Sequence, residues 1–443
     1  MIRPGHSSIG LDIGSSSIKG AVLDLEAGEL VSVCSCPFPD PIVGLPEGHI
    51  EIDPASILAR VRQVIDELAE QVSSRSSIWI CGQMGGLILA DERGRAESNY
   101  ISWRDQRALL ASPGMRTSLE TLRLDWPEAI FASLGRELQA GSTSTLLHWL
   151  SEHRQLRDGV LPLSIADFCI SHFAKQPGTM HTTHAIGLID LGKRDWHYGA
   201  MERIGLGDLW WPELVCDERS MARWKIGSHL YQVHGSYGDQ QCALFGAGLG
   251  LGDLSINIST GSQVSLLSDR FESGAYQTRA YFGDRFLKTI THLPAGRSLN
   301  ALVDLLTELA FAEGQTLERV WENISEKMDQ VASTDMTSDI AFFAGPVGSF
   351  GSLSHLTTEN LSVGHLFLAA CNAMAKNYSQ AAQRLSTSGR WDSVVLSGGL
   401  SSRLPRLVRL IEERFELPVR QCAGEETLLG LLRLAQQHSK TQV

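Results

Sequence analysis

Apolar positions along the chain come in short bursts broken by small polar turns, and two of these bursts share one design. Ile9-Gly10-Leu11 leads into Asp12-Ile13-Gly14-Ser15-Ser16-Ser17 and leaves through Ile18 to Leu25, which predicts two strands joined by a small-residue turn. Far downstream, Ser255-Ile256-Asn257-Ile258 enters Ser259-Thr260-Gly261-Ser262-Gln263 and leaves through Val264-Ser265-Leu266-Leu267, repeating the strand, turn, strand order. Helical periods lie between and beyond the hairpins. After Asp53-Pro54, a good helix start, Ile57, Val61, Val64, Ile65, Leu68 and Val72 fall on one face. Val363, Leu366, Phe367, Ala370, Met374, Tyr378, Ala381 and Leu385 outline a second, longer helix that stops near Gly389. Ile78 to Cys81 and Asp392 to Leu396 read as buried strands. The first ends at Gly82-Gln83-Met84-Gly85-Gly86, the second at Ser397-Gly398-Gly399-Leu400-Ser401-Ser402 before a helical pattern through Leu407, Val408, Ile411 and Phe415.

The recurrence of the hairpin predicts two similar lobes, each beginning with a turn that points into a central cleft. Small residues let backbone N–H groups approach phosphate oxygens, Asp12 can hold magnesium directly or through water, and Lys19 adds positive charge. Either turn taken alone would read as an ordinary tight turn. Gly246, Gly248, Gly250 and Gly252 fall at every second position before the second hairpin, as a hinge between lobes or as a glycine-rich loop without that role. Ser397 to Ser402 is a strand, glycine turn, helix sequence suited to adenosine or the α-phosphate, although a bare Gly-Gly turn is more often structural.

With 443 residues, two large lobes are the natural expectation, and a composition 43% apolar and 20% charged with 42 glycines is that of a folded globular protein. A net charge of −12 with dispersed Lys and Arg leaves no footprint for nucleic acid. The opening residues run into a strand without an apolar export core, and no apolar run is long enough to span a bilayer, so a cytoplasmic protein is expected. Eight dispersed cysteines without a CxxC pair read as reduced packing thiols, with Cys34 and Cys36 on one face of a strand.

In order along the chain, GLDIGSSSIKG, CGQMGG, SWRDQR, THAIGLIDLGKRDW, GSYGDQQCALFGAG, SINISTGSQ and LSGGLSS resemble the motifs of the FGGY carbohydrate kinases. LPAGRSLNALVDLL and GSLSHLTTENLSVGHL, with the INIST hairpin, are most similar to the sedoheptulokinase branch. The resemblance implies an α/β protein of two actin-like (ribonuclease H-like) lobes, residues 1–250 and 251–443, around a nucleotide and sugar cleft. It implies ATP and Mg²⁺, a small sugar, no nucleic acid, no membrane, and compatibility with a homodimer. Sedoheptulose is the leading substrate; xylulose, ribulose or a polyol are alternatives, as is a non-catalytic nucleotide-binding switch. Two positions depart from the family: Gly85, where many relatives carry His, bears on the sugar pocket, and Leu146, often Lys, bears on the surface of a small subdomain.

Within that resemblance Asp239, in a loop before a helix, is the expected proton acceptor and second carboxylate at the metal beside Asp12; a lone Gly-Asp would more often be a turn or helix cap. Gly14, Ser15, Ser16 and Lys19, then Thr260, Gly261 and Ser262, then Gly398, Gly399 and Ser401 are the expected nucleotide contacts. Gln83, Met84, Trp103, Arg104, Asp105, Asp239 and Gln240 are the expected sugar contacts, with Arg104 and Arg107 read alternatively as surface charges and Met84 as a core residue. His181 and His184 have HxxH spacing without a zincin Glu, and Glu426 is explained by its place at a helix start.

Overall fold

The computed structural model describes residues 7–73, 76–111, 114–386, 389–422 and 424–441. Twelve strands form two sheets of six. The first holds β1 (Ser7–Ile13), β2 (Ser17–Asp24), β3 (Glu29–Pro37), β4 (Ser77–Gly82), β5 (Ser220–Ile226) and β6 (His229–Gly238) in the order β5-β6-β4-β1-β2-β3. The second holds β7 (Asp253–Ile258), β8 (Ser262–Ser268), β9 (Gln277–Ala280), β10 (Phe286–Leu293), β11 (Ser393–Ser397) and β12 (Val419–Gln421) in the order β9-β10-β8-β7-β11-β12.

The two orders contain one repeat. In β3-β2-β1-β4-β6 and in β10-β8-β7-β11-β12, an antiparallel meander is followed by two strands added in parallel. Both predicted hairpins open their sheets: Asp12 pairs with Lys19 across the first and Asn257 with Gln263 across the second.

The helix predicted after Asp53 spans Pro54–Ala69; the Asp53 carboxylate caps Ala55 and Ser56 N–H, and Pro54 occupies the first turn where its missing N–H is harmless. Its buried stripe of Ile57, Val61, Val64, Ile65 and Leu68 packs on the first sheet, and Gly20 is required beneath it, since a Cβ there would lie 2.6 Å from Val64. Val72 lies beyond the helix end yet still packs on that core. The second long helix runs Val363–Leu385 over the second core. After β11 the helical pattern breaks in two, Gly399–Arg403 and Pro405–Phe415, because Pro405 supplies no N–H and holds Leu404 at φ −125° and ψ 75°.

A third apolar cluster, built mainly from residues 87–206, makes a subdomain on the first lobe. Leu146 is fully buried in it, on the helix Thr143–Glu152, so the expectation that this position bears on a surface is corrected: an apolar side chain here is core. A fourth cluster joins the lobes, with Trp79, Tyr237 and Cys242 from one side and Leu428, Leu431 and Leu432 of the last helix, Glu426–Thr441, from the other. All eight cysteines are free thiols. Among the described residues no helix is long and apolar enough to cross a membrane.

Candidate active site

Strand register gathers the acidic residues. Asp12 on β1 lies beside Cys81 on β4, which lies beside Tyr237 on β6, so Asp12, Gln83 and Asp239 emerge at the carboxyl ends of three adjacent parallel strands. This is the end of an α/β sheet where ligands bind. Asp12 is 9% exposed; its Oδ2 accepts the Thr427 hydroxyl at 2.8 Å, and its buried Oδ1 has no partner. Asp239 begins the helix Asp239–Gly246, is half-buried, and accepts the Gln240 N–H at 2.7 Å. Burial, reinforced by the nearby Asp12 charge, pushes the Asp239 carboxyl up to about 7. Burial raises Asp12 as well, against the opposing pull of Thr427, Cys81 and Lys19.

The first turn is tightened by Gly14 N–H on the Ser17 carbonyl, with Ser15 half-buried and Ser16 exposed. Lys19 stands across from Asp12, its ammonium 2.6 Å from Glu425 at the start of the last helix. In the second turn Thr260 and Gly261 are exposed, and the long helix Gly296–Ala312 begins against it through Gly296 N–H to Ser259 O and Arg297 N–H to Thr260 O. Ser262 departs from the expectation: its hydroxyl is buried and bonded to Tyr378 at 2.7 Å, so it anchors the turn from behind. Gly398 has φ +89°, and a Cβ there would lie 2.3 Å from the Ile258 carbonyl, so this glycine lets the turn after β11 touch the second hairpin. Gly399 is exposed with open space where a Cβ would stand, and the Ser401 hydroxyl turns back onto the Gly398 carbonyl at 2.7 Å.

Among the residues expected to contact sugar, Trp103 keeps 38% of its surface exposed while Gly85, Gly86 and Gly141 pack around it. A Cβ on Gly141 would fall 1.7 Å from the Trp103 carbonyl oxygen. Gln83 is buried with its Nε2 unpaired, and the Met84 sulfur lies against Gly238, beside Asp239. Arg104 is exposed next to Trp103. Two sugar-site expectations are corrected. Asp105 is fully buried and its carboxylate is consumed by Arg107 Nε at 2.9 Å, Arg107 Nη2 at 2.9 Å and Ile50 N–H at 2.6 Å. Arg107, far from being a surface charge, also binds Glu51, so the pair is an internal brace below Trp103. Gln240 is likewise engaged: its Nε2 donates to Gln263 at 3.0 Å and its Oε1 accepts from Arg279, which places its amide between the lobes.

Residues 7–246 match the N-terminal domain of the FGGY family of carbohydrate kinases. The chain belongs to this family. The kinase is 22% identical to the sedoheptulokinase of Mus musculus, over 95% of this chain and 94% of that one. It is 25% identical to a glycerol kinase of Aromatoleum aromaticum over 54% of this chain, which spans about half of that relative. Among solved structures, the xylulose kinase of Rhodospirillum rubrum superposes with a TM-score of 0.82 at 19% identity, covering 97% of this chain and 89% of that one. The glycerol kinase of Plasmodium falciparum with ADP gives 0.83 at 17%, covering 98% and 90%. These likenesses fix the fold as actin-like.

In the kinase, several residues around the site carry no motif of their own. Thr427 and Glu425 reach Asp12 and Lys19 from the far end of the chain, and the only sequence signal was their adjacency to Glu426, the first residue of the last helix. Arg279 forms a buried ion pair with Glu137 as well as its bond to Gln240. His181 and His184 are buried, and burial holds their imidazoles down to about 3 and about 4. Among the described residues no group of three or more His, Cys, Asp or Glu side chains is placed to hold a metal ion.

Proposed function

We propose that this carbohydrate kinase transfers the γ-phosphoryl group of ATP to a sugar hydroxyl, with Asp239 as proton acceptor and sedoheptulose, converted to sedoheptulose 7-phosphate, as its substrate. The observation that carries the chemistry is the Asp239 carboxyl, pushed up to about 7 at the strand ends beside Asp12. A base poised near the working pH removes the hydroxyl proton with the least loss in either direction. The unpartnered Oδ1 of Asp12 fits a magnesium ion, which takes one or two carboxylates plus phosphate oxygens; when bound, the ion would neutralise polyphosphate charge. Gly14, Ser15, Ser16, Thr260 and Gly261 would receive the phosphates through backbone N–H groups, with Gly398 and Gly399 at the adenosine end. Trp103, with Met84, Gln83 and Arg104, would form the sugar wall. The substrate reading is supported by the mouse sedoheptulokinase, which aligns end to end where the glycerol kinase aligns over about half.

The test is ADP release from Mg-ATP over a panel of sedoheptulose, xylulose, ribulose and glycerol, with Asp239→Asn as control. Release driven by sedoheptulose and lowered roughly two to four orders of magnitude in the variant is the expected result. Release driven only by a pentulose or by glycerol would transfer the assignment to that sugar. ATP binding with no release for any sugar would make the chain a nucleotide-binding switch.

A further inference from the structure

The segment His181–His184 wraps the corner that presents Asp239, and nothing in the proposed reaction accounts for it. Gly238 N–H donates to the Thr183 hydroxyl oxygen at 3.0 Å, one residue before Asp239. That hydroxyl lies 2.7 Å from His181 Nδ1, and the Thr183 backbone N–H points at the same nitrogen at 3.2 Å. A nitrogen facing a backbone N–H must offer its lone pair, so His181 is neutral with its proton on Nε2, and the Thr183 hydroxyl is left to donate to Nδ1. The direction of the chain is therefore fixed: Gly238 N–H to Thr183 Oγ1, and Thr183 O–H to His181. On the other side, the Thr183 carbonyl accepts from Gln241 Nε2 at 3.4 Å, within the first turn of the Asp239 helix. All four groups are buried, so no solvent competes for these bonds.

We propose that Thr183 is the positioning residue of the base: its hydroxyl, oriented by neutral His181, holds Gly238 and so sets where the Asp239 carboxylate points. The inference rests on Asp239 being the proton acceptor. A hydroxyl acceptor is needed, because Val at this position would leave Gly238 N–H unpaired in the interior and His181 Nδ1 with the backbone N–H of residue 183 alone. Loss of the hold displaces the base from its line to the sugar hydroxyl, and a misplacement of about 1 Å can cost on the order of 100-fold in rate.

The experiment compares Thr183→Val, Thr183→Ser and Asp239→Asn with the unsubstituted kinase, measuring kcat, KM for the sugar that drives turnover, and Mg-ATP binding by thermal shift. The expected result is a kcat lowered roughly 10- to 100-fold in Thr183→Val with Mg-ATP binding and sugar KM within about threefold, and kcat restored to within about threefold by Thr183→Ser. Should Thr183→Val fail to fold, Thr183→Cys, close in volume but a weak acceptor, carries the same expectation. Full kcat in the Val or Cys variant, or failure of Ser to restore it, overturns the proposal. If Asp239→Asn itself turns over normally, the base assignment fails instead, and the two failures are thereby distinguished.

Discussion

At the scale of single residues, the feature with the most consequence is a carboxyl that titrates near neutrality. Asp239 faces Asp12 as its principal charged neighbour, with Arg279 pulling weakly the other way. A base must be deprotonated to act, so kcat/KM for the sugar should rise with pH along an acid limb centred near 7, and a profile flat from pH 5 to 8 would contradict the assignment. The same shift has a stability consequence of defined sign. Between the ordinary aspartate pKa near 4 and about 7, folded Asp239 holds a proton that the unfolded chain has released. Its contribution to stability is therefore complete below about pH 4 and falls as pH rises through the folded value. Asp239→Asn should lose less stability than the unsubstituted kinase between pH 4 and 7, as read from urea midpoints. Asp167 points the same way: burial pushes its carboxyl up to about 7 despite bonds from Ser164 and Ser236, and it titrates in both proteins, so only the difference between them reports on Asp239.

At the scale of elements, the two helices that follow the last strand of each repeat, Asp239–Gly246 and Glu426–Thr441, cross with their backbones touching. A Cβ on Gly246 would lie 2.0 Å from the Glu426 carbonyl, and one on Gly430 would lie 2.0 Å from the Cys242 carbonyl. Neither obstacle is the end of a flexible side chain, so Gly430→Ala must part the helices, at about 1–3 kcal/mol and at the expense of the Thr427 bond to Asp12. A lowered denaturation midpoint together with a raised KM for Mg-ATP is expected; a stable variant with unaltered kinetics would refute this view of the crossing. The crossing also explains what could and could not be seen in sequence. Gly246 stood out, but in a run of alternating glycines it read as a hinge or a loop, whereas its contact partner lies far along the chain. The hairpins were legible because turn chemistry is local, and so was the helix start after Gly238 that carries Asp239. Asp105 misled because WRDQR shows polar residues without showing that Arg107 and Ile50 consume the carboxylate. Leu146 misled because exposure depends on a subdomain core assembled from many short segments.

At the scale of the whole molecule, the lobes meet through polar contacts around Arg279 as well as through the helix crossing. Arg279, from edge strand β9 of the second sheet, reaches Glu137 in the first-lobe subdomain and Gln240 next to Asp239, and both partners of the ion pair are buried. Gly135 packs against the same strand, its carbonyl accepting the Thr278 N–H at 2.9 Å. A buried pair is weak as net stabilisation, but removing one member strands the other, at about 3–5 kcal/mol. In this kinase that penalty falls on the junction, because neither Arg279 nor Glu137 belongs to the apolar core of either sheet. Opening the lobes would hydrate the stranded guanidinium, so Glu137→Gln should shift the molecule toward open forms rather than unfold it. Small-angle scattering should then show a larger radius of gyration without ligand, reversed by Mg-ATP with sugar, and a raised KM for the sugar. Replacing both members, Glu137→Leu with Arg279→Met, removes the stranded charge and should recover much of the compactness while leaving Gln240 without its acceptor bond. If Glu137→Gln instead keeps the original radius and lowers the unfolding temperature of one lobe alone, the pair belongs to that lobe's stability and not to closure.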